Sequence, residues 1–244
     1  MAPASANPPA PKPNAVPLFR WRTLFNGGEW NPVFVKETRQ AVRGRYVLTM
    51  FLGSLTLMFG LSAWRLLTAD LAQPQVGREM FLLLLGALTL LTGLCVPAWS
   101  TLRMMQERDD PDGVDLLYYT PMSAEEIVQG KFLSNVALTG IFFSAGAPFL
   151  AVTPLLRGVD VPTVFLVTGL SFLTILFLCQ AGLVLASLPI HRVGKIAVGA
   201  VVVLTSSPLV VAWIAICVSY VLSEGGVGLP LPFFFVLVLI FGFL

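Results

Sequence analysis

Six apolar runs, at residues 46–67, 80–102, 132–156, 162–188, 196–222 and 229–244, constrain the fold of this chain more than any other feature. The first five hold 22 to 27 residues each. A helix rises about 1.5 Å per residue, so each is long enough to cross a hydrocarbon core of about 30 Å. Inside lipid a backbone must satisfy its own hydrogen bonds, which leaves helices as the element such runs can form. The expected fold is all-α: a multi-pass transmembrane helical bundle of six spans over residues 46–244. Residues are 56% hydrophobic and 11% charged, with mean hydropathy +0.84, which excludes an ordinary soluble globular domain.

What the runs omit narrows the function. Apart from Arg65, near the end of the first, none contains Asp, Glu, Lys, Arg or His. Ion- and proton-coupled carriers keep ionisable groups or broken-helix ion sites at membrane depth, so a secondary carrier ranks low. Asn135 and Gln180 are the large polar side chains within the runs and are expected to form interhelical hydrogen bonds. Gly140 and Ser144 form a small-xxx-small pair, which predicts close helix packing there. Pro97, Pro148, Pro154 and Pro208 predict kinks, with a break in the fifth run near Ser206-Ser207-Pro208. Cys95, Cys179 and Cys217 lie within apolar runs without a CxxC spacing and read as small buried hydrophobes.

Ahead of the first run, residues 1–17 are rich in Pro and Ala and too weakly apolar to pack, which predicts a disordered tail. Residues 18–45 then turn basic and amphipathic, the pattern of an interfacial elbow helix. Asn31 suits an N-cap and Pro32 the first helical position. Phe34, Thr38, Ala41 and Val42 are expected to share one face, with Lys36, Arg39, Arg43 and Arg45 largely elsewhere. Trp21, Phe25 and Trp30 are suited to a headgroup layer.

Between the second and third runs lies a polar island, residues 103–131. The chain has 15 basic and 13 acidic residues, and ten of these charges, seven of them acidic, fall here. Pro111-Asp112-Gly113 signals a turn. Val114, Leu117 and Tyr118, at i, i+3 and i+4, outline a short helix that Thr120-Pro121 ends. Ser123 and Glu126 form a capping box opening the next helix. The carboxylates lack the spacing of a calcium loop, and His191 lies in a short loop at 189–195, where a solvated role is expected. Gly130-Lys131 and Gly194-Lys195 lack the upstream Gly and following Ser/Thr of a P-loop, so no ATP site of that kind is expected in this chain. No metal, cofactor or nucleic-acid partner is expected either.

The order of residues across this island resembles the first cytoplasmic loop of ABC-2-type transporter permeases. The resemblance rests on Glu107, Gly113, Leu116-Leu117, Thr120-Pro121-Met122-Ser123 and Glu126-Ile127-Val128-Gln129-Gly130-Lys131, with Asn31 to Glu37 similar to that family's pre-span helix. It covers roughly residues 31–135. Two departures stand out: the acidic run is lengthened by Asp109-Asp110-Pro111-Asp112, and Val114 follows Gly113 where Thr is common. The resemblance implies that the loop holds a coupling helix docking on a separate ATPase subunit, with Glu107, Gly113, Leu116, Leu117, Tyr118, Thr120, Pro121, Ser123, Glu126 and Lys131 as the docking residues. It further implies a permease subunit of an exporter, paired with a second permease subunit, using alternating access. The alternative, from another class, is a non-transporting membrane scaffold. Lys and Arg number twelve on the side of the N-terminus and this loop against three (Arg65, Arg78, Arg157) on the other, which predicts a cytoplasmic N-terminus and a cell-membrane location. The last run has 16 residues, about 24 Å as a helix, and begins near Pro230 and Pro232. It reads as part of a longer permease, or as an end that reaches an interface by local thinning.

Overall fold

The computed structural model describes residues 25–26, 29–30, 32–68, 75–109, 124–187, 207–219 and 221. Among these the chain is almost wholly helical. Helix α1, Pro32–Arg43, starts at Pro32, whose fixed φ and missing N–H suit the first helical position. One residue, Gly44, separates it from α2, Arg45–Thr68. Then come α3, Val76–Asp109, and α4, Ala124–Val152, which tightens into a 3₁₀ turn at Thr153–Leu156. Pro154 accounts for that change, because it cannot donate to the α-helical ladder. Helix α5, Val161–Ser187, follows, and a shorter apolar helix α6 spans Ser207–Ser219.

Four of these helices (α2, α3, α4 with its 3₁₀ turn, and α5) are long and apolar enough to cross a membrane. They coincide with the first four apolar runs, and they point to a multi-pass membrane protein. The expected six-span count is reached only in part among the described residues. Within the fifth run the described residues 207–219 and 221 are helical; the break expected near Ser206-Ser207-Pro208 falls at the edge of the described residues. The sixth run lies outside the described residues, as do the 1–17 tail and the 189–195 loop. One feature departs from an all-α reading: Phe25–Asn26 and Glu29–Trp30 form a two-residue antiparallel ladder with Phe25 opposite Trp30. Gly27-Gly28 joins the two, a dipeptide suited to tight hairpins.

Helix α3 is the axis of the bundle. Its buried residues Met80, Phe81, Leu84, Leu88, Thr92 and Val96 recur in steps of three and four, one broad stripe of a 3.6-residue helix. That stripe packs against Val167, Leu170, Ile175 and Cys179 of α5, Leu138 and Phe142 of α4, and Trp213 of α6. Buried hydroxyls donate back to carbonyls of their own helix: Thr89 to Leu85 at 2.6 Å, Thr101 to Pro97 at 2.7 Å, Ser171 to Val167 at 2.8 Å. Thr89 and Thr101 thus place their protons within their own helix, and Ser171 Oγ also accepts from Trp213 Nε1 of α6 at 2.9 Å.

Close helix approach occurs at other positions than the Gly140–Ser144 pair. A Cβ on Gly93 would sit 2.7 Å from a methyl of Val210, and one on Gly146 would sit 2.8 Å from a methyl of Leu88. Around Gly140 nothing lies within 4 Å, and Ser144 is exposed, its hydroxyl donating to the Ile141 carbonyl at 2.9 Å. The sequence spacing is the same in principle; which small residues face a neighbour is set by the stripe that α4 turns toward α3. Cys179 and Cys217 are buried free thiols, as expected, and Cys95 is half-buried.

Candidate functional site

At one end of the bundle α1 lies across the last turns of α3 and the first turns of α4, the two helices that flank residues 110–123. Three side-chain positions on α4, Lys131, Ser134 and Asn135, fall at i, i+3 and i+4 and so share a face. Each meets a different partner. The Lys131 ammonium Nζ donates to Glu37 Oε1 of α1 at 3.0 Å. Thr38 of α1 lies 3.5 Å from the hydroxyl of Ser134. Asn135 Nδ2 donates to Ser100 Oγ of α3 at 2.9 Å. The interhelical hydrogen bond expected of Asn135 is therefore present, while Gln180 is half-buried on α5.

The ion pair is well covered: only 11% of each side chain is exposed. Two charges taken this far from water are stable only together, since either alone leaves an uncompensated ion. Beside the pair, Arg103 of α3 donates to Gln40 Oε1 of α1, and its guanidinium carbon lies 5.7 Å from the centroid of Trp99. Trp99 in turn stacks on Tyr46, the second residue of α2, at 5.0 Å and 7° between planes. A polar-aromatic chain thus runs from α2 through α3 to α1, and the ion pair carries it on to α4.

Glu37, Ser100, Arg103, Lys131, Ser134 and Asn135 border a cavity of about 20 Å³. Small-molecule sites occupy roughly 300–1,000 Å³, so this is a joint between helices and holds no pocket for a transported molecule.

The positions singled out in the sequence fall unevenly on this arrangement. Lys131, expected in the docking set, turns its ammonium into the joint and pairs with Glu37. Glu126 is half-buried in the first turns of α4. Glu107 lies within α3, near its end at Asp109. Gly113, Leu116, Leu117, Tyr118, Thr120, Pro121 and Ser123 lie outside the described residues, as does the short helix expected at Val114–Tyr118. Val42, expected to share a face with Phe34, Thr38 and Ala41, is 52% exposed. Glu37 takes a place in that face, beside buried Ala41 and half-buried Phe34 and Thr38.

Sequence reasoning passed over the Glu37–Lys131 and Gln40–Arg103 links. One signal was available for the first: Glu37 is the sole acid in a helix with three cations, and Lys131 opens a run free of charge. Comparison with protein-family models, with curated proteins and with solved structures gives no match.

Proposed function

We propose that this chain is the transmembrane permease subunit of an ABC-2-type exporter. Its six spans pair with those of a second permease subunit, and ATP is hydrolysed in a separate ATPase subunit docked on the 103–131 loop. The N-terminus and that loop face the cytoplasm of a cell membrane, on the asymmetry of Lys and Arg. Glu107, Gly113, Leu116, Leu117, Tyr118, Thr120, Pro121, Ser123 and Glu126 form the docking segment.

The observation that carries this reading is the joint among α1, α3 and α4. A loop that receives work from a partner must be fastened to the helices that move. Here the two flanks of the loop are tied to α1, α3 by Arg103–Gln40 and α4 by Lys131–Glu37, and to each other by Asn135–Ser100. The residue order from Glu107 to Lys131 supports it independently through its resemblance to the permease loop. Leu116, Leu117, Tyr118 and Tyr119 supply apolar and aromatic anchors, the residue types that dominate interface energetics. The acidic neighbours steer a basic partner surface.

Leu117→Asp and Tyr118→Asp test the docking segment. Each is expected to abolish co-purification of the ATPase subunit while membrane insertion and detergent elution stay unchanged. Normal recovery of the ATPase with both variants would refute the docking role and favour a non-transporting scaffold.

A further inference from the structure

With Glu37 turned inward, the outward side of α1 carries a single sign of charge. Lys36, Arg39, Gln40 and Arg43 recur at i, i+3, i+4 and i+7, one stripe about 100° wide along a helix. All four are exposed, and so is Arg45, two residues on. The only acid in α1 is Glu37, and it lies in the packed face against Lys131. Among the described residues the ion pairs are Arg65–Glu79 and Lys131–Glu37, so neither engages the stripe. A face that is merely solvated ordinarily mixes both signs of charge.

The place of the stripe is fixed by covalent connection. Gly44 alone separates α1 from α2; its N–H donates to Ala41 O at 3.0 Å and its carbonyl accepts from Leu48 N at 3.1 Å. Arg43 is therefore two residues from the start of a membrane-length helix. Val35 and Val42, seven residues apart on the flank of the stripe, are 45% and 52% exposed. Cations alongside exposed aliphatic side chains, at the root of a span, are the arrangement of a helix lying in the headgroup layer.

We propose that Lys36, Arg39 and Arg43 form a binding surface for anionic phospholipid headgroups in the leaflet beside the 103–131 loop. Inward pairing of Glu37 keeps that surface free of negative charge. Arginine and lysine donate charge-assisted hydrogen bonds to phosphodiester oxygens, and a lipid with net negative charge keeps that attraction uncancelled. The proposal rests on the membrane-spanning character of the chain and requires no ATPase partner. At the strength usual for a cation near an anionic leaflet, each contributes roughly fivefold in preference for an anionic over a zwitterionic lipid.

The test is native mass spectrometry of the purified full chain, titrated in detergent with equal amounts of phosphatidylglycerol and phosphatidylcholine. The wild-type chain is expected to retain phosphatidylglycerol at least about tenfold over phosphatidylcholine, with the preference falling as salt shortens the screening length. The triple variant Lys36→Gln/Arg39→Gln/Arg43→Gln brings retention near parity. The charge-conserving Arg39→Lys/Arg43→Lys keeps the preference, and so does Arg65→Gln/Arg78→Gln/Arg157→Gln at the opposite end. Parity in the wild type, a preference untouched by salt, or one that survives the first triple variant would overturn the proposal. So would loss of preference in the opposite-end variant, or ATPase loss with lipid retention intact in the first triple, which would make the stripe a protein-docking surface. Where the triple variant fails to fold, the wild-type salt dependence decides.

Discussion

The two ends of the bundle are fastened by different means. At the loop end α1, α3 and α4 are joined through side chains: a covered ion pair between α1 and α4, an amide on a hydroxyl between α4 and α3, and an α3 guanidinium shared between Gln40 of α1 and Trp99. At the far end the start of α3 meets the turn after α4 through backbone. A Cβ on Gly77 would fall against the carbonyl oxygens of Arg157 and Thr153, 2.5 Å from the latter. Arg157 itself has φ 68° and ψ 164°, a conformation ordinarily left to glycine, and Gly158 follows at φ 92°. The far-end ion pair, Arg65–Glu79, is by contrast half in solvent, with 24% and 55% of the side chains exposed. Backbone contact fixes one geometry. Side-chain links of matched charge and hydrogen bonding hold a geometry firmly yet allow helices to shift together, the behaviour the proposed docking role of the adjacent loop requires.

Substitutions at three contacts separate these two modes, in decreasing order of effect. Gly77→Leu places a side chain where two carbonyls stand, and no rotamer relieves a clash at Cβ. The loss is expected to be at least about 3 kcal/mol, read as collapse of the monodisperse elution peak. A variant eluting normally would mean that the start of α3 is free of the 153–157 turn. Next, Lys131→Met strands the Glu37 carboxylate and Glu37→Gln strands the Lys131 ammonium, each at about 3 kcal/mol. The charge exchange Glu37→Lys/Lys131→Glu is expected to recover more than half of that in thermal unfolding. Additive losses in the double variant would show that the two charges do not act as a pair. Smallest is Glu79→Gln at the far end: an ion pair this exposed contributes below about 1 kcal/mol and less in high salt, so unfolding at 0.5 M NaCl is expected to match the wild type within error.

Much of the fold was legible because span formation depends on a summed property. Length and apolarity alone put helices at the first four runs, and no tertiary detail is needed for that inference. Local chemistry fixed some boundaries as well, with Pro32 opening α1 and Pro154 ending the α-helical part of α4. The joint was less legible, because it depends on which faces meet. Asn135 was readable, since a lone amide in an apolar run must find a partner. Glu37 was not: on a helix with Lys36, Arg39 and Arg43 it reads as one more surface charge until Lys131, 94 residues away, is placed against it. Gly140 and Gly146 illustrate the same limit, as both lie on α4 and only the second faces Leu88. The Phe25–Trp30 pairing had a short-range signal in Gly27-Gly28, within a segment whose basic and aromatic residues drew attention to the headgroup layer.

On the proposed function, α1 and α4 move as one body when an ATPase subunit drives the 103–131 loop. Thr38 and Ser134, whose hydroxyls lie 3.5 Å apart across the joint, give the most direct measurement of it. In a background with Cys95, Cys179 and Cys217 replaced by Ala, Thr38→Cys/Ser134→Cys is oxidised in the complex with the proposed ATPase subunit, and ATP turnover is followed. Two elements that already move together lose nothing by being tied, so the oxidised complex is expected to keep most of the turnover of its reduced form. Turnover abolished on oxidation and restored by a thiol reductant would mean that α1 and α4 must part during the cycle, which contradicts the joint described here.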